Sequence, residues 1–358
     1  MSALLADGTL VPLIDITGWA DGDAGTRARI ARQIDDAARV VGFLQIVGHG
    51  VPASIIDAML DASDAFFARP LEAKLPYVTT SPEVNRGFTP QGAETLTYSL
   101  GLDSPPDLFE AFNIGPDAVP DDPVYDPERH RLFAPNIWPD DPAFRAAYRN
   151  YFDAMVTLAA MLDEIFAVAL SMEPGFFWDK TDHSTNTLRV LRYERQPGTA
   201  DPLPGQMRMG SHTDYGISTI LYADQVPGLQ VLGPDECYHD VVPAPGAYLI
   251  NIGDLLAQWT NDRWRSTLHR VVPPPAQIDG PSVRRSAAFF HNGNYDALIE
   301  CIPTCCSDDN PPRYAPIVAG KHLMSKIAAP RNGDISTVAG GSDTVAERIH
   351  TVSGLTSA

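Results

Sequence analysis

The second half of the chain consists of short apolar segments that glycine, proline and aspartate repeatedly interrupt. After Asn186 the segments read TLRVLRYE, ISTILY, GLQVL, AYLINI, LHRVV and VRRSAAFF. Many short strands separated by turn residues favour a sandwich or barrel of antiparallel type. The sequence therefore predicts a mainly β core.

Helical periodicity appears mainly before that core. VPLIDI and FLQIV are typical of short strands, and the segment between them has apolar residues at helical spacing, with Gly42 at its expected end. A second helix is predicted from Pro52, and a single long amphipathic helix over 144–169 that backs the main sheet. The chain from 79 to 141 is predicted to be loop-dominated, and the tail beyond about Pro330 to be a mobile end.

Composition limits the class of protein and of partner. The 358 residues are 44% hydrophobic and 20% charged, which is typical of a globular protein of one large domain or two closely packed ones. The formal net charge of -19 argues against nucleic-acid or anionic membrane partners, because both need clusters of lysine and arginine. With no run of about 18 apolar residues and no basic leader, we expect a cytoplasmic protein. No pattern calls for a partner chain, so we expect a monomer.

The four cysteines do not form a recognisable framework. Cys237, Cys301, Cys305 and Cys306 lie late in the chain and include no C-x-x-C pair. We interpret them as reduced thiols that pack in a loop-rich segment.

Three residues form a candidate metal site. His212 and Asp214 are two positions apart, and alternate residues of a strand point to one face, so both side chains could reach one ion. His269 lies on a later predicted strand and would complete a set of two imidazoles and one carboxylate. That set is the facial triad of non-haem Fe(II) oxygenases. The pair alone is equally compatible with a surface turn, and the full set with a Zn(II) hydrolase.

A candidate anion site lies on two further strands. In VRRSAAFF, Arg284 and Ser286 share one face, where a guanidinium and a hydroxyl could bind a carboxylate. Tyr193 on LRVLRYE could donate a third hydrogen bond. The alternatives are a surface salt bridge for Arg284 and a core aromatic for Tyr193.

Taken in order, these motifs resemble those of the isopenicillin-N-synthase-like branch of the Fe(II)- and 2-oxoglutarate-dependent oxygenases. The resemblance extends over roughly residues 10 to 325 and rests on VPLIDI, GFLQIVGHGVP, NRGFTPQG, EAFNIG, LRVLRY, HTDYGISTIL, VPGLQV, INIGDLLAQWTND, STLHRVV and RRSAAFF. It implies a double-stranded β-helix, or jelly-roll, core with flanking helices. It also implies four regions: an N-terminal non-haem dioxygenase region (1–135), a backing helix and linker (136–183), the oxygenase core (184–295), and a C-terminal segment with a mobile tail (296–358).

The resemblance assigns roles to individual residues. His212, Asp214 and His269 would hold the iron, and Arg284 with Ser286 would bind the distal carboxylate of 2-oxoglutarate. Tyr193 corresponds to a tyrosine that binds the same co-substrate. Leu191 stands where the family motif has asparagine, which puts one hydrogen bond to the co-substrate in doubt.

The implied cofactors are Fe(II), 2-oxoglutarate and molecular oxygen. The implied reaction hydroxylates, desaturates or cyclises a small molecule through a ferryl intermediate, and releases succinate and carbon dioxide. The alternative on the same scaffold is an iron oxidase that uses no 2-oxoglutarate, since similar residues can bind a substrate carboxylate. A Zn(II) hydrolase would leave Arg284 unexplained. A non-catalytic jelly-roll protein would require the loss of a metal ligand or of the Arg284–Ser286 carboxylate clamp.

The substrate pocket is the least constrained part of the prediction. Candidate lining residues are Arg86, Tyr215, Phe290 and His291, although Arg86 could instead stabilise its own loop and His291 could be structural. The stretch from 301 to 326 is a further candidate. The substrate class is predicted only as a small metabolite, such as an amino acid, a peptide-like compound or another product of secondary metabolism.

Overall fold

Fourteen strands are present in the part of the chain that the structure describes. The computed structural model describes residues 10–81, 84–100, 104–117, 131–194, 202–273 and 283–332. The strands are β1 Leu13–Asp15, β2 Phe43–Val47, β3 Gly87–Thr89, β4 Glu110–Ile114, β5 Thr187–Tyr193, β6 Met209–His212, β7 Ser218–Ala223, β8 Leu229–Leu232, β9 Tyr238–Asp240, β10 Tyr248–Ile252, β11 His269–Val271, β12 Arg284–His291, β13 Leu298–Ile299 and β14 Ile317–Val318.

The strands form two main sheets with an interior between them. Eight strands follow the order β1-β2-β10-β7-β12-β5-β4-β3, and four follow the order β6-β11-β8-β9. All pairs in these sheets are antiparallel except β1 with β2. Apolar side chains from both sheets meet in one buried cluster, which includes Leu191, Leu249 and Val271. The predicted mainly β core is therefore confirmed.

Helices flank the two sheets. They are α1 Ala24–Val40, α2 Ala53–Phe67, α3 Leu71–Lys74, α4 Pro142–Ala169, α5 Trp178–Thr181, α6 Asp254–Trp259 and α7 Ala319–Asn332, with short 3-10 turns at Leu75–Tyr77, Leu96–Leu100, Arg131–Phe133 and Pro303–Cys305. None of the described helices combines the length and the apolar composition that a membrane crossing needs.

Glycine ends the first helix as predicted. Gly42 has φ of +68°, and its N–H donates to Ala37 O at 3.1 Å. A Cβ at this position would lie 1.9 Å from Arg265 O, so no other residue fits without a backbone shift. This turn leads directly into β2.

The long predicted helix is confirmed as α4. Asp141 caps it by accepting hydrogen bonds from two backbone N–H groups of the first turn. Its apolar stripe packs against α1 and α2, and Phe152 meets Phe289 of β12 with ring centroids 5.3 Å apart. The buried residues of the stripe are Phe144, Tyr148, Tyr151, Met155, Leu158, Leu162, Ile165 and Ala169.

The described part of the region between 79 and 141 is loop-dominated, as predicted, with two short strands within it. It contributes β3 and β4, and β4 pairs with β5 to extend the larger sheet. Proline and glycine break this region into pieces too short to show periodicity, so only the pairing of β4 with β5 and of β3 with β4 identifies them as strands. The predicted mobile tail lies outside the described residues from 333 onward, while α7 continues to Asn332. The division of the chain at 135, 183 and 295 remains a proposal.

Candidate active site

A cavity lies between the two sheets and collects most of the predicted functional residues. Its walls include side chains of β6, β8 and β11 from the smaller sheet and of β5, β7, β10 and β12 from the larger one. The lining residues include all three predicted metal ligands, and also Tyr193, Arg284 and Ser286. Residues that lie far apart in the sequence therefore face one space.

Strand register brings the two histidines together. In the antiparallel pair β6·β11, His212 lies directly opposite His269, and their ring centroids are 4.3 Å apart. Asp214 Oδ1 lies 3.8 Å from His212 Nε2 and 4.0 Å from His269 Nε2. Among the described residues these three form the one group of His, Cys, Asp or Glu side chains close enough to share a metal ion.

The structural reason for the grouping differs from the prediction in one respect. Asp214 was expected to follow His212 on the same strand face, but β6 ends at His212 and Asp214 lies in the connection to β7. Its position is fixed instead by hydrogen bonds. Asn251 Nδ2 donates to Asp214 Oδ2 at 2.7 Å, and Thr219 Oγ1 donates to the same oxygen, which leaves Oδ1 facing the imidazoles.

Both imidazoles are held in one orientation. His212 Nδ1 donates to Gly210 O at 2.7 Å, and His269 Nδ1 donates to Thr267 O at 3.1 Å. A ring that donates from Nδ1 presents the lone pair of Nε2, and the Nε2 atoms lie beside Asp214. The geometry therefore offers two nitrogen donors and one carboxylate oxygen.

Burial and mutual charge set the protonation of these groups. Burial, and then the neighbouring His269, lower the pKa of His212 to about 4. Burial alone would raise the pKa of Asp214, but the two histidines and the hydrogen bonds from Asn251 and Thr219 outweigh it and hold the pKa below its ordinary value. A neutral imidazole at His212 and an ionised carboxylate at Asp214 suit the donor set that a divalent iron accepts.

A second polar group lies on the strands beside the metal cluster. Arg284 pairs with Tyr193 across β12·β5, and Ser286 follows two residues later on the same face. All three side chains are buried, and the Arg284 guanidinium carbon lies 5.1 Å from the Tyr193 ring centroid. Arg284 Nε and Nη1 have no hydrogen-bond partner among the described residues. A buried cation with donors to spare fits an anionic ligand, because a bound carboxylate offsets the cost of desolvation.

Two residues near this group modify the prediction. Leu191 lies opposite Ser286 and lines the cavity, so an apolar side chain occupies the asparagine position. Arg208, which the sequence did not single out, is also buried, and burial and the charge of Arg284 lower its pKa. Two neighbouring guanidiniums strengthen the attraction for an anion.

The four predicted substrate residues are divided between different environments. Tyr215 and Phe290 line the cavity. Arg86 also borders it, but its guanidinium donates to the backbone carbonyls of Asn85, Leu132 and Ala134, as expected of a residue that stabilises its own loop.

His291 lies on the other face of β12. Its Nε2 lies 3.1 Å from Asp163 of α4, and its Nδ1 lies 3.2 Å from Asn186 Oδ1. Because successive residues of a strand alternate between faces, Phe290 and His291 cannot both face the cavity. The pocket role suggested for His291 is therefore not retained.

The C-terminal helix α7 closes one side of the cavity. Leu323 and Ile327 are lining residues, and His322 Nε2 lies 3.1 Å from the backbone oxygen of Tyr215. Lys326 Nζ lies 3.1 Å from Asp254. The Asp254 carboxylate also accepts hydrogen bonds from the hydroxyls of Thr213 and Ser266, two residues that lie close in sequence to the proposed metal ligands. The cysteines at 301, 305 and 306 do not line the cavity, and all four cysteines are free.

Comparison with known proteins identifies the family. Residues 11–141 match the family model described as non-haem dioxygenase in morphine synthesis N-terminal, and residues 185–293 match that of the 2OG-Fe(II) oxygenase superfamily. The chain is 34% identical over 315 residues to the 2-oxoglutarate-Fe(II) type oxidoreductase hxnY of Emericella nidulans, covering 86% of this chain and 87% of the relative.

The chain belongs to the 2OG-Fe(II) oxygenase superfamily. A further member, validamycin A dioxygenase of Streptomyces hygroscopicus subsp. limoneus, is 36% identical, with 82% of this chain and 79% of the relative covered. The crystal structure of a full-length Neurospora crassa protein in complex with alpha-KG and thymine has a TM-score of 0.79 and 32% identity, and covers 92% of this chain and 99% of that one.

Membership of the 2OG-Fe(II) oxygenases confirms the predicted jelly-roll fold and reaction class. The protein is a 2-oxoglutarate-dependent non-haem iron dioxygenase whose cofactors are Fe(II), 2-oxoglutarate and oxygen. An oxygenase that consumes 2-oxoglutarate is supported over the alternative iron oxidase that does not.

Proposed function

We propose that His212, Asp214 and His269 hold the catalytic iron, and that Arg284, Ser286 and Tyr193 bind 2-oxoglutarate. The observation that carries this assignment is the placement of both groups in one cavity. Three ligand atoms lie within 4.8 Å of one another, and the buried guanidinium of Arg284 has unpartnered donors in the same space. A Zn(II) hydrolase would have no use for that guanidinium.

The bound iron, with 2-oxoglutarate and oxygen, supplies an oxidant strong enough for an unactivated C–H bond. The chain's own residues position the reactants. Asn251 and Thr219 fix one oxygen of Asp214, and the Nδ1 hydrogen bonds fix both imidazoles, so the ligands need little rearrangement on binding. Apolar side chains exclude water from the remaining space, among them Leu96, Leu132, Leu221, Phe290, Leu323 and Ile327.

The substrate we propose is a small molecule held between the iron and α7. The related Neurospora crassa structure contains thymine, and another relative is named for validamycin A, and both are small molecules. The mostly apolar wall with a few polar groups supports a ligand of this kind.

We also propose a monomer that acts in the cytoplasm without nucleic-acid or membrane partners. The net charge of -19 supports this, because phosphate-rich partners repel an acidic protein. The four free cysteines are in keeping with a reducing compartment.

An anaerobic titration tests the residue assignments. Addition of Fe(II) and then 2-oxoglutarate is expected to produce the visible charge-transfer absorption of an iron-chelated keto acid. His212→Ala and Asp214→Ala should abolish it, and Arg284→Ala should shift the 2-oxoglutarate titration to higher concentration. His239→Ala is the control, because that histidine is half-buried, lies outside the cavity lining and is bonded to Asp235. Unchanged titrations in the first three variants would overturn the assignment.

A further inference from the structure

A buried ion pair lies in the cavity wall apart from the iron-ligand and 2-oxoglutarate groups. Arg189 Nη2 lies 2.6 Å from Glu94 Oε2, and the two residues are only 6% and 7% exposed. Both line the cavity. Burying such a pair costs solvation free energy that apolar residues of equal size avoid, so stability is a weak reason for its presence. Contact with a ligand is the better explanation.

Strand register separates this pair from the 2-oxoglutarate group. Arg189 lies opposite Ala288 in the β5·β12 ladder, whereas Tyr193 lies opposite Arg284. Four residues along a strand span about 13 Å. Arg189 therefore lies nearer the start of β5 than Tyr193, which belongs to the group proposed to bind the co-substrate carboxylate.

The surroundings of the pair are mostly apolar, apart from Asp107, whose carboxyl oxygens accept from the backbone N–H groups of Leu96 and Gly210 and which does not line the cavity. The Arg189 guanidinium lies over the ring of Phe109, 4.9 Å from its centroid. Glu94 precedes the 3-10 turn Leu96–Leu100, which packs against α7, and α7 contributes apolar lining residues. A ligand that binds here therefore meets the Arg189–Glu94 ion pair within a mostly apolar wall.

The opposite charges of Arg189 and Glu94 decide which ligand groups the pair accepts. Glu94 repels a carboxylate that approaches Arg189, and Arg189 repels an ammonium that approaches Glu94. A neutral group with an acceptor next to a donor satisfies both residues at once. Arg189 Nε has no partner among the described residues and is available to an acceptor.

We infer that the Arg189–Glu94 pair recognises an uncharged amide-type group of the substrate, such as that of a lactam, imide or carboxamide. The carbonyl oxygen accepts from Arg189, and the neighbouring N–H donates to Glu94. This inference rests on the proposed function, since it takes the cavity to be the substrate site. The pair acts in recognition and orientation and takes no part in the redox chemistry.

Binding of matched probes tests the inference. Benzamide, benzoate and benzylammonium present one ring with a neutral, an anionic and a cationic group, and uracil adds a cyclic imide. Calorimetry is carried out anaerobically with the Fe(II)- and 2-oxoglutarate-loaded protein at millimolar probe concentration. The neutral amides are expected to bind at least about tenfold more tightly than the two ions. If either ion binds most tightly, or if no amide binds, the inference is overturned.

Charge-altering variants reverse the preference. Glu94→Gln leaves Arg189 without its counter-charge, so benzoate should gain and the amides should lose about tenfold in affinity. Arg189→Met should favour benzylammonium. Arg192→Met is the matched control, because that arginine lies on the opposite face of β5 and pairs with Glu194. If Glu94→Gln binds the probes in the same order of affinity as the unmodified protein, the inference is overturned. If a variant does not fold, the order of probe affinities in the unmodified protein is the test.

The charge-transfer absorption separates the two levels of inference. If it fails to form in the unmodified protein, the proposed iron and 2-oxoglutarate sites are wrong. If it forms and the amide preference is missing, only the role of Arg189 and Glu94 is wrong. A loss of 2-oxoglutarate affinity in Arg189→Met with no change in probe ranking would assign Arg189 to the co-substrate and overturn the inference.

Discussion

Removal of the hydrogen bond from Asn251 to Asp214 is expected to weaken iron binding. Asn251 Nδ2 lies 2.7 Å from Asp214 Oδ2, and the asparagine is only 2% exposed. A hydrogen bond to a charged group contributes about 1.5–3 kcal/mol, and loss of a partner to a metal ligand typically lowers affinity by about 10- to 100-fold. Thr219 still donates to the same oxygen in Asn251→Ala. We therefore expect a loss of affinity at the lower end of this range, that is, a rise of about tenfold in the Fe(II) dissociation constant.

Anaerobic titration of the apoprotein with Fe(II) at saturating 2-oxoglutarate measures this constant through the charge-transfer absorption. In the double variant Asn251→Ala, Thr219→Val, the Fe(II) dissociation constant is expected to rise by about 100-fold, because Asp214 then keeps neither of these side-chain donors.

A buried asparagine elsewhere supplies the control. Asn113 of β4 donates to Gly87 O at 3.2 Å and to Thr89 Oγ1 at 3.0 Å, and it does not line the cavity. Asn113→Ala should lower the free energy of unfolding without a change in Fe(II) affinity. If Asn251→Ala binds Fe(II) as the unmodified protein does, or if both variants lose affinity equally, the positioning of Asp214 by Asn251 is refuted.

Three further variants test other parts of the structure. Arg284→Met should raise the 2-oxoglutarate dissociation constant by at least about tenfold, since a charge-assisted hydrogen bond is lost, whereas Arg285→Met on the opposite strand face should not; equal titrations would contradict the clamp. Lys326→Met removes the 3.1 Å ion pair with Asp254, so hydrogen exchange in α7 should accelerate, and unaltered exchange would exclude this anchor. Burial raises the pKa of Asp107 to about 7, so the folded state keeps a proton that the unfolded chain has released. Stability should therefore fall as pH rises from about 4 to about 7, by up to about 4 kcal/mol, and urea unfolding of Asp107→Asn at about pH 5 and about pH 8 should show a shallower dependence.

The sequence was sufficient where local chemistry is distinctive. His212, Asp214, His269, Arg284 and Ser286 stand out because few chemistries need imidazole, carboxylate and guanidinium in that order along the chain. Helix periodicity and the glycine after α1 were equally readable, since each depends on neighbouring residues alone.

Other features depend on contacts between distant segments. β4 is a strand because it pairs with β5, and β3 because it pairs with β4. Asp214 is fixed by donors 37 and 5 positions away. Asn251 left only a weak signal, a polar residue within the apolar strand AYLINI. Alternation along β12 could have excluded His291 from the cavity, but only the fold shows which face turns inward.

The sequence by itself determined the fold class, the family and the residues proposed to bind iron and 2-oxoglutarate, because these are encoded in local patterns and motif order. Tertiary structure decided which side chains share one cavity. The register that sets His212 opposite His269 and the packing that buries Arg189 against Glu94 arise from long-range pairing. The spacing of residues along one chain does not specify such pairing.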